Sequence, residues 1–142
     1  MIVVDASLAV KWFLTEPDSN LALDLLERAE PDLCGPHFLG QEVCRALVAA
    51  ANARRVEAVT ARSAIRVWLA RIESGQMPLH PVDWRMVQRA TNIAIDLGHP
   101  LADCIYLALA IELDCELATC DAKFQAKASA VYPRVRLLSD FN

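Results

Sequence analysis

Asp5, Glu42, Asp103 and Asp121 stand where carboxylates are expensive. Asp5 closes the apolar run Ile2-Val3-Val4. Glu42 interrupts the apolar stripe of a helix. Asp103 opens the most apolar helical segment, and Asp121 follows a second apolar run, Leu117-Ala118-Thr119-Cys120. An anion among buried elements costs free energy unless something positive compensates it. No Lys or Arg recurs beside these acids, so the simplest partner is a divalent cation. Carboxylates without thiolate or imidazole select hard ions such as Mg²⁺ or Mn²⁺. Such a site activates water and stabilises charge at a phosphorus centre. Four acids suffice for one or two ions. Ser7 and Thr119 each lie two residues from an acid. Their hydroxyls are candidates to orient a carboxylate or a bound water; the plain alternatives are an ST-turn and an ordinary strand residue.

Every acid also has a structural reading. Asp5 and Asp121 can cap the helices that follow them, and Asp103 sits in a first turn, where the helix dipole favours an acid. Glu42 can be a boundary residue with a buried stem. On a wheel turning about 100° per residue, Leu39, Val43, Ala46 and Ala50 lie to one side of Glu42 and Phe38 and Ala49 to the other. Glu42 thus points into the apolar stripe, where a solvated helix would not put it.

Other chemistries fit less well. Gly totals only four, and neither a phosphate-cradling loop nor G-x-G-x-x-G occurs. No G-x-S-x-G occurs either. His37, His80 and His99 each adjoin a proline, which suggests structural or turn roles. The five cysteines, Cys34, Cys44, Cys104, Cys115 and Cys120, include no C-x-x-C and read as free thiols of a reducing compartment. Cys115 and Cys120 offer half of a zinc site, but no histidine pair has the spacing to complete it.

The chain's 142 residues and 55% hydrophobic content suit one domain, residues 1–142, with a substantial core. A net charge of −4 argues against nucleic-acid binding over the whole surface, though not at a local patch. Arg54, Arg55, Arg62, Arg66 and Arg71 cluster. Arg62 and Arg66 share a helix face, either solvated or set to contact phosphate. No apolar stretch reaches the length of a membrane span. The N-terminal run is too short and too soon acidic for a signal peptide, so a cytoplasmic protein is expected.

The elements that must position the acids alternate in type. Strands are expected at 2–4, 32–34, 79–82, 116–120 and 135–138, with the third weakened by Pro81. Helices are expected over 6–14, from about Asn20 to Pro31, from Pro36 to about Arg55, over 59–73 with Thr60 as a cap, over 84–97 with Asp83 as cap and Gly98 as stop, over 101–113 and over 122–130. This alternation implies an α/β sandwich around a mostly parallel sheet. In such sheets ligands bind beyond the carboxyl ends of the strands, where Asp5 and Asp121 lie.

These residues also carry a family resemblance. Met1 to Phe13, reading MIVVDASLAVKWF, resembles the start of PIN-domain ribonucleases, particularly the VapC-type toxins of toxin–antitoxin pairs. Gln41-Glu42-Val43 with Leu47 is similar to their second acidic motif, Asp103 to Ala110 to the third, and Leu117 to Asp121 to the fourth. The resemblance spans nearly the whole chain. It implies a three-layer α/β/α sandwich in which Asp5, Glu42, Asp103 and Asp121 gather around Mg²⁺ or Mn²⁺. It implies hydrolysis of RNA phosphodiesters by in-line attack of activated water, with Ser7 and Thr119 as supporting residues. It also implies a homodimer and inhibition by a cognate antitoxin. Family members often carry Asn three residues after the motif glutamate; here Arg45 stands there, free to pair with a carboxylate, contact phosphate or point outward. Lys11 follows the family pattern, and by residue type is solvated or ion-paired.

Two other readings stand beside the nuclease. One is a non-catalytic, PIN-like partner-binding dimer. The other is a phosphotransfer domain using Asp5, weakened because Ser7 occupies the place of the second acid in an Asp-x-Asp arrangement.

Overall fold

Five short strands form the centre of the protein in a computed structural model that describes residues 1–141; Asn142, the last residue of the expected domain, lies outside them. The strands are β1 (Ile2–Val4), β2 (Leu33–Pro36), β3 (Leu79–His80), β4 (Glu116–Thr119) and β5 (Val135–Leu137). Their order is β3-β2-β1-β4-β5, and every pairing is parallel. Ile2 pairs with Leu33 on one side and Glu116 on the other, which puts β1 in the middle. Val3 and Val4 are fully buried, as a strand covered on both faces requires.

The helices are α1 (Ala6–Ala9), α2 (Ser19–Ala29), α3 (Leu39–Asn52), α4 (Ala58–Glu73), α5 (Trp84–Leu97), α6 (Leu101–Leu113) and α7 (Ala122–Ala128). Right-handed crossovers from β1 through β2 to β3 lay α1 to α4 on one face. The return to β4 and β5 runs the other way and lays α5 to α7 on the opposite face. Ring contacts agree: Trp68 of α4 packs on Trp12 and Phe13 at 6.2 and 6.0 Å, and Phe124 of α7 packs on His99 at 4.8 Å. The fold is thus a three-layer α/β/α sandwich. Helix α6 is apolar on nearly all sides and buries Cys104 and Tyr106 through Ala110 over the sheet. No single helix among the described residues is long and apolar enough to cross a membrane.

Several boundaries differ from expectation. The helix expected over 6–14 breaks into α1 and a 3₁₀ turn at Val10–Trp12. Pro36 ends a strand instead of starting a helix: it pairs with His80, and the amide of Gly35 donates to the carbonyl of Pro78. β3 stops at His80 because Pro81 has no N–H to extend the ladder. Thr60 does not cap α4; the chain turns in at Glu57, which caps without a side-chain bond. Asp83 does cap α5, accepting from Met86 N at 2.8 Å, and Gly98 ends that helix at φ 60°, a left-handed conformation that suits glycine. The last helix and the last two strands are each one or two residues shorter than expected.

Candidate metal centre

The strand order reverses beside β1, and β1 and β4 are parallel neighbours. Their carboxyl ends therefore deliver Asp5 and Asp121 to one edge, the crevice where such sheets bind ligands. Asp5 is the N-cap of α1: its Oδ1 accepts from Leu8 N at 3.1 Å and from Ser7 Oγ at 2.7 Å. Asp121 is the N-cap of α7 and accepts from Phe124 N at 3.0 Å. The capping roles and the shared edge coexist, because a cap engages one carboxylate oxygen and leaves the other.

Ser7 and Thr119 knit these two termini together. The Ser7 hydroxyl donates to Asp5 and accepts from Cys120 N at 3.3 Å. Thr119, fully buried, accepts from Asp121 N at 3.1 Å, and its hydroxyl also serves the Asp5 carboxylate.

Helices α3 and α6 contribute the other two acids. Glu42 lies one turn into α3, half-buried at the margin of a stripe whose centre is Leu39, Val43, Leu47 and Ala50. Its Oε2 accepts from Arg45 Nη2 at 2.6 Å. Of the roles left open for Arg45, pairing with a carboxylate is the one observed; spacing of three residues on a helix brings it to Glu42. Asp103, in the first turn of α6, pairs through Oδ2 with His99 Nε2 at 2.7 Å. One ligand atom each from His99, Asp103 and Asp121 lie within 4.8 Å of one another, a spacing that fits a metal ion. Among the described residues no such group includes a cysteine, and all five thiols are free.

His99 is the residue the sequence reading missed. Its neighbour Pro100 suggested a turn, and it does stand at the turn between α5 and α6. Its ring is also only 7% exposed and touches the acidic group. The signal was present: His99 and Asp103 are four residues apart across a helix start.

The electrostatics separate Asp5 from the rest. It is 2% exposed, whereas Glu42, Asp103 and Asp121 are half-buried. Burial pushes its carboxyl up to about 6, against the hydrogen bonds from Ser7, Thr119 and Leu8, and the nearby Asp103 carboxylate adds to the rise. Lys11 does not neutralise it; its ammonium donates to the Pro17 carbonyl at 2.7 Å and stands 4.0 Å from Glu16. Glu42 and Asp121 line an open pocket of about 470 Å³ together with Ala6, Ser7, Lys11 and Arg45. A second cleft, about 580 Å³, lies between α5 and α6, but its Glu112 is paired with Arg85 at 3.5 Å and it holds no acidic cluster. Arg62 and Arg66 are exposed on α4, and Arg71 pairs with Glu30.

The donor set fits a divalent cation. Among the described residues it combines a buried carboxyl that no Lys or Arg contacts, three acids each tied through a single oxygen, and a buried Tyr106 hydroxyl without a hydrogen-bond partner in the same neighbourhood. His99, Asp103 and Asp121 are the described residues spaced to hold such an ion; Asp5 lies near Asp103, and Glu42 shares the open pocket with Asp121.

Comparison with known proteins is consistent with this architecture. The PIN domain family model matches residues 2–130. A search of curated proteins finds no match. VapC20 of Mycobacterium tuberculosis, a sarcin–ricin loop cleaving toxin, is 17% identical with a TM-score of 0.68, covering 89% of this chain and 94% of its own. A toxin–antitoxin complex from Klebsiella pneumoniae aligns at 19% identity and TM-score 0.65, covering 97% and 98%. FitAcB from Neisseria gonorrhoeae aligns at 16% identity and TM-score 0.64, covering 96% of each chain. Likeness at these identities is likeness of fold; the family match extends over most of the sequence, and the chain belongs to the PIN domain family.

Proposed function

We propose that this chain is a single-domain, Mg²⁺- or Mn²⁺-dependent endoribonuclease and serves as the toxin of a toxin–antitoxin pair. The observation that supports the proposal most is the close group of His99, Asp103 and Asp121 beside the buried Asp5 carboxylate, which no Lys or Arg touches; Glu42 joins it through the pocket it shares with Asp121. A divalent ion held there supplies water activation and charge stabilisation at phosphorus.

The protein's own groups do the rest. Ser7 and Thr119 fix the rotation of Asp5. His99 holds one oxygen of Asp103 and leaves the other for a ligand. Lys11 and Arg45 on the pocket wall present positive charge to the phosphate backbone. An open pocket suits an unstacked nucleotide of a loop or single strand. RNA as substrate draws support from likeness to a toxin described as cleaving the sarcin–ricin loop, and an antitoxin partner from likeness to a toxin–antitoxin complex. A homodimer is part of the proposal: Trp84 and Ile95, 86% and 73% exposed, lie on one face of α5. The cytoplasm is the proposed compartment, in keeping with five free thiols.

The test is purification with the product of the adjacent reading frame, release of the partner, and mapping of cleavage on total RNA. Discrete cuts are expected with Mg²⁺ or Mn²⁺, none with EDTA, and none from Asp103→Asn. Intact RNA under every metal condition would favour the non-catalytic dimer instead.

A further inference from the structure

Tyr106 is 2% exposed, and its hydroxyl is buried without a hydrogen-bond partner among the described residues. Buried hydroxyls nearly always have a partner, and an orphan marks either a cost or an absent ligand. The amide of Ala6 approaches the phenol oxygen without reaching hydrogen-bond geometry, which leaves the phenol proton free. The ring is held by Phe38, with centroids 5.0 Å apart. Phe38 stands one helical turn before Glu42, and Tyr106 follows Asp103 by one turn of α6. The ring therefore reaches from α6 to the cap of α3, close enough to Asp5, Glu42 and Asp103 to feel their charge, with the Ala6 amide of the pocket wall beside its hydroxyl. Burial first, then the carboxylates of Asp5, Glu42 and Asp103, push its pKa upward, so it remains a donor.

We propose that Tyr106 is a positioning residue of the acidic pocket: its hydroxyl donates to one of the carboxylates of Asp5, Glu42 and Asp103 when a divalent ion draws them together. Without an ion these like charges repel and stay apart, and the phenol reaches none of them. With one, a carboxylate oxygen not used by the ion comes within reach of the phenol. The inference rests on the metal-site reading given under the proposed function.

Tyr106→Phe tests it, because the change deletes one oxygen and keeps the ring. Mn²⁺ is titrated calorimetrically, without RNA, into wild type, Tyr106→Phe and Tyr132→Phe. Tyr132 is the control, since its hydroxyl donates to the Cys115 carbonyl at 2.8 Å, away from the acids. Tyr106→Phe should bind Mn²⁺ about 10- to 100-fold more weakly, with a metal-free melting temperature equal to or above wild type. Tyr132→Phe should keep wild-type affinity. Unchanged Mn²⁺ affinity in Tyr106→Phe overturns the proposal while leaving the metal site standing. Wild type that binds no Mn²⁺ overturns both. A second readout needs no variant at position 106: Mn²⁺ should perturb the near-ultraviolet tyrosine band of wild type and of Tyr132→Phe alike, and absence of that change also contradicts the proposal.

Discussion

Asp5 concentrates the electrostatic cost of the pocket. With its pKa raised from 3.8 to about 6 by burial, the folded chain holds a proton there at pH values where the unfolded chain has lost it. Metal-free stability should therefore fall as pH rises from about 4 to about 6, and the full deficit, about 3 kcal/mol, is present above that window. Urea unfolding of metal-free wild type and Asp5→Asn across this range checks it. The variant should lack this part of the slope and should be no less stable than wild type at pH 7.5; equal slopes would contradict the assignment. At this scale the sequence was informative about the acids and poor about their partners. Apolar surroundings singled out Asp5 and Asp103, whereas the wheel pointed Glu42 into the stripe and the structure sets it, half-buried, at the margin. Arg45 and His99 were harder, because whether a long or rotatable side chain turns toward an acid depends on rotamers that spacing alone leaves open.

Two helices that begin with aspartate allow capping and chemistry to be separated. Asp83 caps α5 at 2.8 Å from Met86 N, and Asp121 caps α7 at 3.0 Å from Phe124 N. Replacing either by alanine should cost about 0.5–2 kcal/mol of stability. Only Asp121→Ala should also abolish RNA cleavage, and Asp121→Asn should restore the stability without the cleavage. Thermal melts paired with a cleavage assay decide this; loss of activity in Asp83→Ala would show that the cap, not the carboxylate, matters. The amphipathic or wholly apolar helices α2 to α6 were legible from periodicity. Pro36 was not, since a proline suits the end of an edge-side strand as well as the first turn of a helix, and the choice here is made by pairing with His80 from more than forty residues away.

For the whole molecule, the alternation of elements implied a parallel sheet, but the order β3-β2-β1-β4-β5 depends on long-range pairing that no local pattern encodes. That order matters, because only neighbouring β1 and β4 bring Asp5 and Asp121 to one edge. An ion bound there links the ends of two strands and two helices, so it should stabilise the entire fold. At about 100 times its Kd, Mn²⁺ should add about 2.7 kcal/mol, a rise of roughly 5–10 °C in Tm for a chain of this size. EDTA should reverse the rise, and Asp103→Asn should not show it.

The most direct measurement is the rate of cleavage of one mapped RNA fragment as Mn²⁺ or Mg²⁺ is titrated into metal-stripped protein, for wild type and for Asp103→Asn. Wild type should be inactive without metal and saturate with it, whereas Asp103→Asn should remain folded and inactive throughout. Cleavage by wild type in EDTA, or wild-type rates from Asp103→Asn, would contradict a metal-dependent nuclease built on these four carboxylates.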